Sequence, residues 1–403
     1  MKFLAELSFV FLLAFSVALN SCSSDKNETS SSDSKKLKNT ETQLVTAPGK
    51  KEMLLITDRP PNLETPLKYF LLDFTPNDVF FVRWHLSRLP EKINTDTFRL
   101  RVGGNVKVPL AISLNDLKTK YKSYTINALC VCVGNARSSF NPRVPGAQWA
   151  NGGMGNAKWT GVKLKDILEM AQPKSSSKFV SFNGLDEPPL PTVPDFVKSL
   201  GFNHSIDGEV MIAYEMNGEP LPILNGYPLK LVVPGWYATY WVGMLNEVKV
   251  YADTFKGYWM QKAYLVPKGI YNGNEKPDSL ARDRVPLSKI AIRSIFVSPE
   301  PGNILKKGAA NEIEGLAFDG GDKIIKVEIS LDHGNSWTQT NMDAAIGKYS
   351  WRRWRYEFKP TQEGSYTFLV RATNSKGESQ PFKHWNRSGY MRNEIETLKL
   401  MVK

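Results

Sequence analysis

The sequence predicts an α+β domain followed by an immunoglobulin-like β-sandwich. Three observations carry that prediction. Helix-like and strand-like segments mix over residues 52–283, whereas short alternating strands divided by turn residues fill 286–403. Beyond a polar N-terminal stretch, roughly 350 residues remain, too many for one ordinary core. Composition agrees with a globular chain, 41% hydrophobic and 23% charged.

Residues 1–22 read as a lipoprotein-type signal peptide. Lys2 precedes the apolar run Phe9–Phe15, too short for a membrane span, and Leu19-Asn20-Ser21-Cys22 resembles a bacterial lipobox. Cys22 is then the lipidated residue. The expectation is an exported protein, periplasmic or on the cell surface, with a lipid anchor to the membrane. A plain signal sequence with a chance cysteine is the alternative. Residues 23–51, dominated by Ser, Lys, Asn, Thr and Glu, read as a flexible polar linker, because they bury too little to offset their ordering entropy.

Within 52–283, Ser113 is placed to cap a helix through Leu114-Asn115-Asp116-Leu117-Lys118, and Leu164 to Ala171 reads as a second helix. Phe98–Val102 and Leu229–Val233 read as strands. Gly and Pro crowd residues 141–161 and 188–194, which predicts structured loops of the kind that carry sites. In 286–403, Ile325-Val327-Ile329, Tyr356-Phe358 and Tyr366-Phe368-Val370 alternate as strands do. Of Trp351 and Trp354, at least one is expected in the core.

The formal charge is +12. Without a nucleic-acid module in an exported chain, no nucleic acid is expected; an anionic substrate or acidic partner fits better, and solubility alone is the bland alternative. The chain has three cysteines. Cys132 ends the apolar run Leu129-Cys130-Val131-Cys132 before a Gly134-Asn135 turn, with Arg137 five residues on. Two readings stand: a small buried hydrophobe, or a soft thiolate for a redox-active metal. Cys130 points to the same strand face, and a disulfide between the two would be strained. No haem-attachment motif, phosphate-binding Gly-rich loop or zinc-type cluster is present in the sequence.

Further motifs occur in order: Arg59-Pro60-Pro61-Asn62, Val79-Phe80-Phe81-Val82-Arg83-Trp84-His85, Cys132-Val133-Gly134-Asn135-Ala136-Arg137, Gly155-Asn156-Ala157-Lys158-Trp159-Thr160-Gly161, Ala213-Tyr214-Glu215-Met216-Asn217-Gly218, Val233-Pro234-Gly235-Trp236-Tyr237, Ser330-Leu331-Asp332-His333-Gly334 and His384-Trp385-Asn386. Together they resemble the sulfite oxidase family of molybdopterin enzymes, and among them the bacterial sulfite dehydrogenases, over about residues 55 to 400.

The resemblance implies a molybdopterin-binding catalytic domain over 52–283 and an immunoglobulin-like dimerisation domain over 286–403. It implies a molybdenum-molybdopterin cofactor ligated by Cys132, with no haem in this chain. Arg83, His85, Arg137 and Tyr264 match catalytic positions. Phe81, Arg83, His85, Asp186, Asn225 and Lys230 fall at cofactor contacts, although several relatives carry His and Arg at the positions of Asn225 and Lys230, and many carry Lys at Gly243. Trp149 matches a substrate-pocket position, with a core role as its alternative; a structural role remains open for His85.

The implied reaction is oxygen-atom transfer from sulfite to sulfate, with electrons passed to an external c-type cytochrome. A homodimer through the C-terminal domain is implied as well. The same cofactor acting on another sulfur compound or as a sulfoxide reductase, and a metal-free surface-binding lipoprotein, are the alternatives. The N-terminus departs from exported relatives in having no twin-arginine pair.

Overall fold

The side chain of Ser113 accepts a hydrogen bond from the Asp116 N–H at 3.0 Å, and the helix it caps runs Leu114–Lys120. The second expected helix is Leu164–Ala171, burying Leu164, Ile167, Leu168 and Ala171. These and two single turns, Phe202–Ser205 and Tyr258–Gln261, are the α-helices among the described residues, so the protein is mostly β. The computed structural model describes residues 43–269 and 275–403. The signal segment, Cys22 and residues 23–42 of the expected linker lie outside them. Among the described residues no helix is long and apolar enough to cross a membrane.

Three sheets build the first domain. An antiparallel sheet orders Leu44–Ala47, Lys50–Thr57, Asn62–Glu64 and Val82–Arg83. A second orders Lys198–Gly201, Phe179–Asn183, Glu247–Tyr251, Leu100–Gly104 and Leu110–Ile112, with one parallel pair, Glu247–Tyr251 beside Leu100–Gly104. The third orders Glu219–Pro220, Met211–Met216, Met154–Lys163 and Tyr124–Val131, with Lys230–Val232 also paired to Met211–Met216. Its strand Tyr124–Val131 is buried from Ala128 onward and leads directly into Cys132.

The expected linker is wrong at its C-terminal end. Strands Leu44–Ala47 and Lys50–Thr57 pair with each other, and Met53 is fully buried. Composition suggested a solvated run, but Lys50 is buried because its ammonium meets three acceptors: Asn77 O at 2.6 Å, Phe80 O at 3.0 Å and Asn225 Oδ1. Tertiary partners outweighed local polarity.

The C-terminal domain is a sandwich of two sheets. One orders Arg293–Ser298, Asn311–Phe318, Arg352–Phe358 and Asn341–Met342; the other orders Ile304–Leu305, Glu396–Val402, Gly364–Asn374, Ile324–Ser330 and Thr338–Gln339. Phe296, Ile313 and Trp354 from the first share a core with Val327, Phe368 and Leu400 from the second. The expected alternation fails at its first member: a register shift after Ile324 leaves Ile325 49% exposed, while Ile324, Val327 and Ile329 are buried.

Both tryptophans are buried, on different duties. Trp354 donates to Ser294 Oγ at 2.9 Å inside the sandwich. Trp351 packs edge-on to Phe70 of the first domain, centroids 5.3 Å apart. The two domains also share backbone hydrogen bonds on either side of Cys132: Leu129 N–H to Tyr349 O and Met391 N–H to Val133 O, each 2.9 Å. The C-terminal domain thus braces the segment that carries the thiol.

Candidate active site

A cleft opens where the N-terminal sheet meets the strand ending at Val131. Phe80, Phe81, Arg83, His85, Cys130, Cys132, Asp186, Asn225, Lys230 and Tyr264 are among its lining residues. The structure therefore gathers most of the residues that the sequence singled out.

The thiol is set by a tight turn. The Cys132 N–H donates to Gly153 O at 2.8 Å, and the Asn135 N–H returns to Cys132 O at 2.9 Å. Asn135 Oδ1 accepts from the Gly153 N–H at 3.0 Å, tying the turn to the glycine loop opposite. Cys130 also lines the cleft, but burial pushes its thiol up to about 12. It remains a protonated packing residue.

Arg137 is threaded between three glycines. A Cβ at Gly134, Gly146 or Gly389 would stand 2.7–2.8 Å from a guanidinium nitrogen. Its Nε donates to Gly389 O at 3.0 Å and Nη1 to Ala147 O at 3.1 Å, and its charge lies 5.1 Å from the Tyr390 ring centre. Arg137 does not line the cleft itself. Its field reaches the site through Tyr390 and Tyr264, where it favours an anionic oxygen.

Arg83 and His85 both line the cleft, but not by the strand alternation expected of them: the strand ends at Arg83, His85 lies in the bend that follows, and Trp84 between them lines the cleft too. Arg83 Nη1 donates to Asn62 Oδ1 at 3.3 Å and to the Trp84 carbonyl, and Nη2 reaches the Tyr264 hydroxyl at 3.5 Å. His85 Nε2 hydrogen-bonds the same hydroxyl. The His85 ring stacks on Phe196, centroids 3.7 Å apart. Burial first, then the charges of Arg83 and Lys198, hold the imidazole well below its usual range, so it is neutral.

Tyr264 takes a φ of +58°, a left-handed backbone that a bulky residue rarely adopts. Such strain concentrates at functional sites, and here it accompanies a side chain that bridges Arg83 and His85. Its ring stacks on Tyr390 from the C-terminal domain, centroids 5.4 Å apart. Burial raises the phenol, opposed by the Arg83 and Arg137 charges.

Two more expected residues, besides Arg137, sit differently from a direct contact. Trp149 does not line the cleft: it is 1% exposed and edge-on to Phe81, with Gly153 against its ring, the placement of a core residue. Asn225 lines the cleft but its amide is already committed. Oδ1 accepts from Lys50, and Nδ2 donates to Phe81 O at 3.0 Å. It shapes the wall rather than offering free polar atoms.

The remaining groups fit a molybdopterin. Among the described residues no three His, Cys, Asp or Glu gather to hold an ion, so a metal at Cys132 would take its other donors from an organic ligand. Asp186 Oδ2 is buried without a hydrogen-bond partner, and burial pushes this carboxyl up to about 7. It suits the ring N–H groups of a pterin. Lys230 donates to Asn225 O at 3.2 Å, and burial lowers its ammonium. That desolvated cation suits a phosphate.

Sequence reasoning missed Tyr390, Lys50 and Lys198. Lys50 was hidden by the polarity of its neighbours, and Tyr390 lies 126 residues beyond the tyrosine it stacks on. A lone lysine in a short strand, such as Lys198, carries no local signal.

Residues 86–259 match the oxidoreductase molybdopterin binding domain, and residues 284–402 match the Mo-co oxidoreductase dimerisation domain. Mitochondrial sulfite oxidase of Rattus norvegicus is 30% identical over 364 residues, covering 86% of this chain; the chain spans 65% of that relative's length. Sulfite oxidase of Arabidopsis thaliana is 29% identical, covering 82% of this chain and 89% of the plant protein. The NADPH nitrate reductase of Aspergillus niger is 28% identical over 83% of this chain and 42% of its own. Among solved structures, the sulfane dehydrogenase SoxCD from Paracoccus pantotrophus superposes with a TM-score of 0.73 at 25% identity, over 85% of each chain.

Proposed function

The chain belongs to the sulfite oxidase family of molybdopterin oxidoreductases, and from that premise we propose that it oxidises sulfite to sulfate. It is an oxidoreductase with a molybdopterin cofactor. One observation carries the substrate reading. Arg83, His85 and Tyr264 line the cleft together with Cys132, and the Arg83 cation and the His85 ring both hydrogen-bond the Tyr264 hydroxyl. A small divalent oxyanion is what such a pocket favours.

When bound, the cofactor supplies two-electron redox capacity and oxygen-atom exchange. The chain supplies the rest. Cys132 would offer the protein thiolate, Asp186 Oδ2 would accept from pterin N–H groups, and Lys230 would neutralise the phosphate. The Arg83 guanidinium, its Nη1 held by Asn62 Oδ1 and the Trp84 carbonyl, turns its positive charge and Nη2 toward the substrate oxygens. Tyr264 holds its hydroxyl between Arg83 and His85, whose neutral Nε2 accepts the phenol hydrogen bond. Phe81, Trp241 and Val242 exclude water from one wall and strengthen each charge interaction. Sulfite and water become sulfate, with two protons and two electrons released.

The electrons pass singly to an external c-type cytochrome. Homodimerisation runs through the C-terminal domain, read as immunoglobulin-like, in keeping with its match to a dimerisation domain. Lipid anchoring at Cys22 outside the cytoplasm rests on the signal-like segment alone. A second reading, oxidation of sulfane sulfur, is favoured by the likeness to SoxCD.

The test pairs metal analysis with steady-state turnover of sulfite, a sulfane donor and a sulfoxide, using ferricyanide and cytochrome c as acceptors. Sulfite is expected to give the highest kcat/KM. A sulfane preference of tenfold or so in kcat/KM, about 1.4 kcal/mol in transition-state binding, would replace the first reading with the second.

A further inference from the structure

Lys198 is a buried cation with no carboxylate against it among the described residues. Its side chain is 1% exposed, and Nζ donates to the Trp259 carbonyl at 2.7 Å. The ammonium stands 4.8 Å from the Tyr264 ring centre and 4.6 Å from that of Tyr240. It does not line the cleft, so it is not a substrate ligand. A lysine held this way is costly unless its charge is used.

Three contacts show what it can do. Through the Trp259 carbonyl it ties down the turn Tyr258–Gln261, and the Trp259 ring stands 5.2 Å from His85. Against the Tyr264 face it fixes the ring of the strained tyrosine. Toward His85 it adds a second positive field to that of Arg83. Arg83 Nη2 already directs an N–H at the Tyr264 oxygen. Thr239 faces the same oxygen and its hydrogen bond favours the phenolate, as a donor's does, so the phenol proton goes to the His85 nitrogen.

We propose that Lys198 is a positioning residue for the Tyr264–His85 pair: it locks the tyrosine ring and keeps His85 the neutral acceptor of the phenol proton. The proposal rests on the reading of Tyr264 and His85 as the polar side of the reaction centre. Burial lowers the Lys198 ammonium to about 7, so the device is charged on the acid side of neutrality and weakens above it. The charged and titrating groups facing the pair are Arg83, Lys198, Tyr390 and, through the electrostatic field, Arg137 and Cys132.

The test compares the wild-type holoenzyme with Lys198→Met and Lys198→Arg, molybdenum content and thermal melting being checked for each. With sulfite and ferricyanide, kcat/KM is measured against pH. Sulfite itself titrates near neutrality, so each profile is divided by that of Lys198→Arg, and the wild-type ratio is expected to step down as pH rises through about 7. Lys198→Met is expected to lie roughly tenfold below wild type at acid pH and to hold a constant ratio to Lys198→Arg. Lys198→Arg, always charged, is expected to restore most of the acid-side value and to exceed wild type above neutrality. Equal losses in both variants at every pH would mark a merely structural lysine and overturn the proposal, as would a Met variant with wild-type acid-side activity. A second readout needs no turnover. The chain has four histidines, and the 15N imidazole signal of His85 should step near pH 7 in wild type but in neither variant. No step in wild type overturns the proposal even where sulfite proves not to be the substrate.

Discussion

His85 Nε2 and the Tyr264 hydroxyl hydrogen-bond across 179 residues of chain. Arg83 reaches the same hydroxyl, so a single phenol links the imidazole to the guanidinium. Tyr264→Phe removes that link while keeping the ring stack on Tyr390. Expected is a fall in kcat/KM of roughly 10²-fold, the loss typical of one preorganised donor. The stability cost should be near 1 kcal/mol, because His85 and Arg83 each lose one buried partner. Sulfite kinetics alongside urea unfolding separate the two effects. Unchanged kcat/KM would remove Tyr264 from the reaction.

Two cysteines share the cleft, and they should differ completely under substitution. Cys132→Ser replaces a soft donor by a hard one and is expected to abolish sulfite turnover. Cys130→Ala should retain activity and cost about 1–2 kcal/mol of packing. Elemental analysis and ferricyanide assays on both variants check this. Activity surviving in the Ser variant would move the ligand elsewhere.

The glycines around Arg137 make a steric prediction. Gly389→Ala sets a Cβ 2.8 Å from Arg137 Nε and 2.5 Å from Val144, at a φ of +60°. It should displace the guanidinium, raise KM for sulfite and destabilise the fold by about 1–3 kcal/mol. Gly377→Ala is the control: φ is +81° but its Cβ meets nothing within 4 Å. That variant should cost only about 1 kcal/mol of backbone strain and leave KM alone. Equal KM values for the two variants would argue against a role for Arg137 in anion binding.

Glu64 gives a pH prediction with a definite sign. Its carboxyl is buried, accepts the Gly152 N–H at 3.0 Å, and is pushed up by burial to about 7. The folded pKa exceeds the unfolded one, so the folded state holds more protons between those two values. Its stabilising contribution is complete below about pH 4.5 and is lost as pH rises through about 7, on the order of 3 kcal/mol. Glu64→Gln cannot titrate and should melt higher than wild type at pH 8 but not at pH 4.5. Parallel melting curves for the two proteins at both pH values would disprove the assignment.

Much of the site is legible along the chain because its elements are local. Cys132 follows an apolar strand into a glycine turn, whereas the expected strand repeat through Arg83 and His85 breaks after Arg83, and a bend brings His85 to the cleft. The helix starting after Ser113 is legible too, since a cap acts within one turn. The departures have one origin. Lys50 and Leu44–Ala47 look solvated until Asn77, Phe80 and Asn225 arrive from elsewhere. Trp149 sits near the site in sequence, yet its ring is consumed by packing on Phe81. Ile325 obeys the alternation until a bulge shifts its register.

The amino-acid order by itself determined the β-rich character of the C-terminal part, the helix capped by Ser113 and the apolar strand that ends at Cys132, because strand repeats, caps and turns depend on neighbouring residues. The ligand role of Cys132 came from the family resemblance. Only the tertiary structure decided which groups complete the site. Tyr390 reaches Tyr264 from the second domain, Lys198 comes to rest against the same ring, and Asn225 surrenders its amide to Lys50. Each of those relations is set by packing and by the need to satisfy buried polar groups, which act through space and leave no mark on the local pattern.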